Sequence, residues 1–263
     1  MYDKYKTIAF ERDGKVLTVR LNRPDELNAI NGELHEELAS VFADVDEDDE
    51  AHVIVLTGAG TAFSAGGDMA WLNYNIEKGD EFQRTARHAK RIVSSLLDCS
   101  KPIIARVNGP AIGLGASIAL LSDLIYADEN AVIADPHVRI GFVAGDGGPV
   151  IWPQLIGYAR AKEYLLTGDA VKAKDAERMG LINRAVPTAE LDEVTYKMAH
   201  RLANGATIAI RGTKKATNIG LKQLAESIMD LALSLEAQSN VSEDHKEGIM
   251  AFKEKRKPRF TGR

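Results

Sequence analysis

Apolar and polar positions along the chain are arranged in several ways, and each predicts a different element. Thr7–Glu11 and Val16–Leu21 are β-branched and apolar on either side of Asp13-Gly14, the pattern of a hairpin. After Arg23-Pro24, Leu34, Leu38 and Val41-Phe42 recur at helical spacing on a surface otherwise rich in Glu and Asp, which predicts a solvent-facing amphipathic helix. Val53–Thr57 and Pro102–Val107 are short and almost continuously apolar, as strands covered on both faces are, and Glu81–Leu97 between them reads as helix. Strand, helix, strand implies parallel crossover connections. Leu124–Ala127 and Ala131–Ala134 are further short strands flanking Asp128-Glu129-Asn130. Beyond Pro149 the pattern is mostly helical, with Ala159–Leu166, Lys174–Met179 and Glu190–Ala203 followed by Gly168, Gly180 and Gly205, each at a place suited to a left-handed cap.

This order predicts one mixed α/β (α+β) body over residues 1–200 and a helical C-terminal region over residues 201–263. Composition narrows the class. A chain of 263 residues, 45% hydrophobic and 27% charged, is long enough for a sizeable core and is not disordered, collagenous or coiled-coil. Its formal charge of −5 offers no net positive field, so a general nucleic-acid binder is not expected. The single cysteine, Cys99, cannot form an internal disulfide and has no ligand cluster around it for zinc. Met1–Lys6 is polar, and no apolar run approaches the ~20 residues that span a bilayer, so a soluble cytoplasmic protein is expected.

Three glycine-bearing segments follow strands and precede helical sequence, where free backbone N–H groups gather: Phe63–Asp68, Ile112–Ser117 and Ala144–Pro149. Any one of them can be a tight turn and nothing more. They are not nucleotide cradles. The third glycine of a dinucleotide fingerprint is replaced by Ile118 after Gly113 and Gly115, and no Gly-Lys-Ser/Thr follows for a Walker loop.

Phe63-Ser64-Ala65-Gly66-Gly67-Asp68-Met69, Lys101-Pro102-Ile103-Ile104-Ala105 and Asn108-Gly109-Pro110-Ala111-Ile112-Gly113 together resemble the crotonase (enoyl-CoA hydratase/isomerase) family. The resemblance extends from Arg23-Pro24 and Leu27–Ile30 to Glu247–Phe252 and so covers nearly the whole chain. It implies a spiral of ββα units with a helical trimerisation region at the C-terminus, assembly as a homotrimer or dimer of trimers, and an acyl-CoA thioester as substrate, with no separate cofactor. By motif position, the backbone N–H groups of Gly67 and Leu114 would form an oxyanion hole. Leu114 stands where the family usually has glycine, and its side chain would narrow the acyl pocket. The resemblance also implies an adenine pocket at Ala29, Ala65, Gly67, Asp68 and Met69. Arg23 and the Lys253–Arg259 tail are the cations available for phosphates.

The acid/base residues depart from the family's hydratases, which use two glutamates. Ser117 and His137 stand in those places, so Ser117 is expected on the substrate-binding surface and the proton chemistry must differ or move. His137, Asp146 and Glu236 are the candidates, because a carboxylate beside a histidine fixes its tautomer and supports the imidazolium. Gly145–Pro153 with an upstream histidine is similar to the carbon–carbon hydrolases of the family that cleave cyclic β-diketones, although the further histidine of that branch is absent at Leu114. Three functions stay open: an enoyl-CoA hydratase or isomerase with unusual acid/base residues, a carbon–carbon hydrolase in which His137 and Asp146 activate water, and a non-catalytic acyl-CoA or RNA binder. The structural alternatives are a core role for His137, an N-cap role for Asp146 and a solvated helix face for Glu236. His35, His52, His88, His200 and His245 are expected at the surface.

Overall fold

The computed structural model describes residues 2–263. Met1, the first residue of the polar N-terminal stretch, lies outside the described residues, as do the side chains of residues 79–81, where the sequence places the start of a helix. Chain order runs β1 (Ile8–Asp13), β2 (Val16–Leu21), α1 (Gly32–Asp46), β3 (Val53–Gly58), α2 (Met69–Glu77), α3 (Gly79–Asp98), β4 (Ile103–Val107), β5 (Ala111–Ile112) and α4 (Leu114–Leu120). It continues with β6 (Leu124–Asp128), β7 (Val132–Ala134), α5 (Gly148–Thr167), β8 (Val171–Lys172), α6 (Ala173–Met179), β9 (Arg184–Val186), α7 (Leu191–Ala203), α8 (Thr207–Asn240) and α9 (Glu243–Lys253).

Six strands form one sheet in the order β1-β2-β3-β4-β6-β9, and β5-β7-β8 form a second. Only β1–β2, the expected hairpin, is antiparallel in the larger sheet; the other neighbours run parallel through helical crossovers. Along β3, Ile54 and Leu56 enter the main core with Leu38 and Phe42 of α1, while Val53 and Val55 point into a second cluster with Leu191 and Ala199 of α7. Burial on both faces explains why these strands read as unbroken apolar runs rather than as alternation.

Several boundaries differ from the sequence reading for identifiable reasons. Strands β6 and β7 flank Asp128–Asn130 but belong to different sheets, because the Asp128 Oδ1 accepts from the Asn130 N–H at 2.7 Å and redirects the chain. Helix α5 starts at Gly148, well before Ala159, and is interrupted at Gly157 (φ 77°). Gly168 and Gly180 are left-handed caps as expected, whereas Asn204 closes α7. Gly205 follows that cap, and the closest atom a Cβ there would meet is the flexible end of the Ile210 side chain, at 2.7 Å. Helix α1 turns a fully buried row, Leu34, Leu38, Val41, Phe42 and Val45, towards the core beneath its acidic face. No helix among the described residues is long and apolar enough to cross a membrane.

The loops that leave β3 and β4 are tied together. The Asn108 carboxamide accepts from the Gly58 N–H at 3.1 Å and donates to Gly60 and Ala62 carbonyls, and Asn28 donates to the Ala59 and Ala62 carbonyls. Gly109 crosses directly under Thr61, and a Cβ there would overlap the Thr61 carbonyl oxygen. A rigid backbone contact of this kind cannot yield cheaply. Gly109→Ala is therefore expected to destabilise the fold by at least ~1–3 kcal/mol, read as a lower denaturation midpoint. An unchanged midpoint would contradict the crossing.

Candidate active site

Two loops deliver backbone to a common place. After β3 the chain returns through Ser64–Asp68 and pairs with Ile30: the Ile30 N–H donates to Gly66 O at 2.7 Å and the Asp68 N–H to Ile30 O at 3.0 Å. That pairing does not use the Gly67 N–H. After β5, Gly113 (φ 56°) turns the chain into α4, so Leu114 opens the helix with an N–H that has no preceding turn to bond. The second loop is seated against the first: the Ile112 N–H donates to Ser64 O at 3.0 Å, and Gly115 leaves room for the Ser64 side chain.

An open cleft of about 540 Å³ lies on one side of this junction and a small inner cavity of about 50 Å³ on the other, and both are lined by Gly67, Leu72 and His137. The cleft is lined by Ala29, Ala65, Gly67, Asp68 and Met69, all residues singled out from the sequence. The inner cavity is lined by Leu114, Asp146 and Glu236 together with Ile30, Trp71 and Phe142. Leu114 does line the narrow compartment, as its position implied.

The polar centre is His137 between two buried carboxylates. Its Nδ1 bonds the Asp135 carboxylate, and its Nε2 stands 3.4 Å from Asp146 Oδ2. Burial alone would favour the neutral ring, but Asp135 and Asp146 outweigh it and hold the pKa well above the ordinary value of 6.5. Asp135 also faces the start of α5, where Gly148 leaves room for its Oδ2 and the helix dipole favours negative charge. Glu236 reaches the site from near the C-terminal end of α8, and Gly145 leaves the space it occupies. Burial, reinforced by the negative charge of Asp146, raises its carboxyl pKa well above 4.5 and favours the neutral acid. The surroundings thus favour the protonated ring at His137 and the protonated carboxyl at Glu236, beside Asp135 and Asp146, a set able to give and take protons.

The donor atoms of Asp135, His137 and Asp146 lie within 4.8 Å of one another. Each ring nitrogen faces a different carboxylate, so an ion would have to displace a proton already shared between His137 and an aspartate. The arrangement suits proton transfer better than metal ligation.

Several expectations are corrected. Ser117 is fully buried and lines neither compartment; its hydroxyl donates to Asp146 Oδ1 at 3.2 Å and so orients that carboxylate. Asp146 is no N-cap, since Gly147 occupies that position without a side-chain bond. Glu236 is 5% exposed rather than on a solvated face, because α8 packs against Gly145. Arg23 does not line the cleft: it donates to Ala29 O and pairs with Asp68 at 3.7 Å. Asp68 also caps α2, accepting from the N–H groups of Ala70 and Trp71. The cations lining the cleft are Arg139, which the sequence reading missed, and Arg256, which belongs to the expected basic tail and pairs with Glu247 and Glu254. His35 and His245 are buried, not superficial. Burial lowers His35 to about 3 and His245 to about 4, and His245 stacks on Phe142 with its Nδ1 2.8 Å from Ile140 O. His52 and His88 are half-buried, and His200 pairs with Asp13 at 3.0 Å.

A family model described as enoyl-CoA hydratase/isomerase matches residues 11–263. The chain is 34% identical over 262 residues to a crotonyl-CoA hydratase of Syntrophomonas wolfei, covering 97% of this chain and 98% of that one. Among solved structures, an enoyl-CoA hydratase/isomerase from Mycobacterium paratuberculosis superposes with a TM-score of 0.91 at 40% identity, covering 95% of this chain and 99% of that one. A β-diketone hydrolase from the cyanobacterium Anabaena superposes with a TM-score of 0.85 at 31% identity, covering 91% and 96%.

A raised His137 pKa has a definite consequence. Its contribution to stability is complete below pH ~6.5 and is lost as pH rises through the folded-state value. In NMR titrations, the His137 ring should titrate above 6.5, and Asp146→Asn and Asp135→Asn should each move the midpoint down, because burial then meets less opposition. A wild-type midpoint at or below 6.5 would contradict the arrangement.

Proposed function

The chain belongs to the enoyl-CoA hydratase/isomerase family, and from that premise we propose that it binds an acyl-CoA thioester and stabilises an enolate oxyanion with the N–H groups of Gly67 and Leu114. The observation that carries this reading is the junction of the two compartments, where Gly67 and His137 are common to both. A thioester laid through that junction has its CoA part in the open cleft, its acyl part in the inner cavity and its carbonyl at the backbone donors. Ala29, Ala65, Asp68 and Met69 border the nucleotide end, and Arg139 and Arg256 are the cations nearest to serve its phosphates. CoA enters as part of the substrate, and the reading needs no other cofactor.

For hydration, Asp146 accepts a proton from water as the water oxygen bonds to Cβ. The double-bond electrons move onto the thioester oxygen and are held there by the two N–H groups. As the enolate collapses, His137 delivers a proton from Nε2 to Cα, and the proton on Asp146 returns to His137. Isomerisation uses the same groups, with the proton leaving Cγ and a proton arriving at Cα. Fixed backbone donors suit this role because they need no reorganisation, and each is worth about 2.7–4 kcal/mol in the transition state.

A second reading is favoured by the His137–Asp146 pair and by the likeness to the Anabaena β-diketone hydrolase. In it the same pair activates water for attack on a ketone carbon. The carbon–carbon bond then breaks, and the enolate that leaves is protonated by His137. The RNA-binding alternative has less support, since a chain of formal charge −5 with one short basic run offers no extended positive surface to a polyanion. Exposed Ile219, Leu231 and Leu235 on α8 leave apolar surface that a trimer or dimer of trimers would cover.

Turnover of crotonyl-CoA and of cyclic β-diketones, with free-CoA binding by calorimetry, separates the two readings. Crotonyl-CoA hydration that falls by about 100-fold or more in Asp146→Asn supports the first, that being the usual scale for general acid–base catalysis. Gly67→Pro, which deletes one donor, is expected to abolish it. Diketone cleavage without CoA binding would replace the first reading with the second.

A further inference from the structure

The inner cavity is not uniformly apolar, and its far wall is polar without an evident reason in the fold. That wall is identified by sharing. Gly67, Leu72 and His137 are common to the cavity and the open cleft, whereas His35, Trp71, Asn75 and Thr85 are common to the cavity and a second surface hollow of about 220 Å³. Asn75, on α2, therefore stands at the end of the cavity away from the cleft. It is 1% exposed, and both its Nδ2 and its Oδ1 lack a hydrogen-bond partner.

Leaving such groups unpaired in a native interior costs about 1–3 kcal/mol each. Nothing about α2 requires an amide at this place, since the Asn75 carbonyl is held separately by the Asn240 side chain at 3.0 Å. Leucine would fill a similar volume beside Leu72 and Phe82 without that cost. An amide with both ends free, on a residue that lines a cavity, has the capacity to complete its hydrogen bonds on a ligand that reaches it.

The chemistry of the wall limits what that ligand offers. His35 is buried and neutral at physiological pH, and Arg84 at the outer hollow is exposed and paired with Glu36 at 2.7 Å. No free cation among the described lining residues is placed to receive a carboxylate, so the complementary group is a neutral oxygen. The cavity holds only about 50 Å³, against roughly 10–15 Å³ for one water on the same measure, so the acyl part is a few heavy atoms long.

We propose that Asn75 is a specificity-determining residue, and that the acyl group taken by this enzyme is short and carries a carbonyl or hydroxyl oxygen at the end away from the thioester. This proposal rests on the acyl-thioester reading above. The Asn75 Nδ2 donates to that oxygen, and Oδ1 accepts from it when it is a hydroxyl.

Binding, which is independent of which reaction follows, tests it. Calorimetry would compare hexanoyl-CoA with its 4-oxo, 5-oxo and 5-hydroxy derivatives and with free CoA, on the wild-type protein and on Asn75→Leu. At least one oxygenated thioester should bind tenfold or more tightly than hexanoyl-CoA, and Asn75→Leu should bring the two within about twofold. Equal binding of all the thioesters by the wild type would overturn the proposal, leaving the CoA reading intact and assigning the amide to bound water. Failure of free CoA and every thioester to bind would overturn the thioester reading itself, and this proposal with it. Should Asn75→Leu not fold, the wild-type comparison alone decides.

Discussion

Everything distinctive about this site depends on a protonated imidazole held between two carboxylates that the fold has removed from water. Asp135 and Asp146 are 1% and 6% exposed, and either one buried alone with an unpaired charge would be strongly unfavourable. His137 resolves this by bonding one carboxylate at Nδ1 and facing the other at Nε2, while Ser117 donates to the second oxygen of Asp146. The positive charge and the two negative charges are therefore interdependent. Neutralising either aspartate leaves the ring less able to carry its proton, and removing the ring leaves two like charges in a low-dielectric pocket. Backbone must also make way for the cluster. Gly113, Gly145 and Gly148 border His137, Glu236 and Asp135 respectively, and side chains at the last two would occupy the same space as the carboxylates.

The parallel sheet accounts for the convergence of such distant residues. Strands β3 and β4 are neighbours in register, Leu56 beside Ala105, so the loops that leave their C-terminal ends emerge side by side. One carries Gly67 and the other leads through β5 to Leu114. Asn28 and Asn108 bind the carbonyls of Ala59, Gly60 and Ala62 between them, which holds the first of these loops against the chain that leaves β4. On the proposed reading, backbone donors held in this way cost nothing to orient at the moment of reaction, whereas water would have to turn. The opposite charge balance is met from elsewhere: α8 passes behind Gly145 and contributes Glu236, whose neutral form avoids adding a third negative charge to the cluster.

Much of this was legible in the sequence because it is local. Hairpin, buried strands, glycine-bearing loops and the motif around Gly67 are written in contiguous residues, and Asp135 and His137 are likewise near in sequence, two positions apart with Pro136 between. The significance of Asp135 was still missed, since a carboxylate near a histidine in sequence faces it only if the intervening turn brings the two together, as the turn at Pro136 does here. Glu236 and Asn75 were harder for a different reason. Helical spacing places Glu236 among Leu231, Leu233 and Leu235 without saying which of these faces a neighbour, and burial was decided by the missing side chain of Gly145. His35 and His245 were misplaced by composition alone. Burial turns each into a neutral aromatic, so His245 stacks on Phe142 much as a phenylalanine would.

The distribution of satisfied and unsatisfied polar atoms separates the parts of the site built for stability from those built for ligand. Asn28 and Asn108 are buried or half-buried carboxamides like Asn75, and both spend their donors and acceptors on loop carbonyls and N–H groups, which is how an interior amide stabilises a fold. Asn75 spends neither end, although its neighbours Leu72 and Phe82 show that apolar side chains pack well at this place. Asn240, whose Nδ2 holds the Asn75 carbonyl, also leaves its Oδ1 unpaired, but of these four amides only Asn75 lines the inner cavity, where another molecule can complete its bonds. The same contrast holds between Ser117 and His137: the serine's hydroxyl is committed to Asp146, whereas the imidazole is shared between the aspartates and the cavity it lines. Polar groups that turn their bonding inward set the geometry, and those that face the cavity determine what can react there.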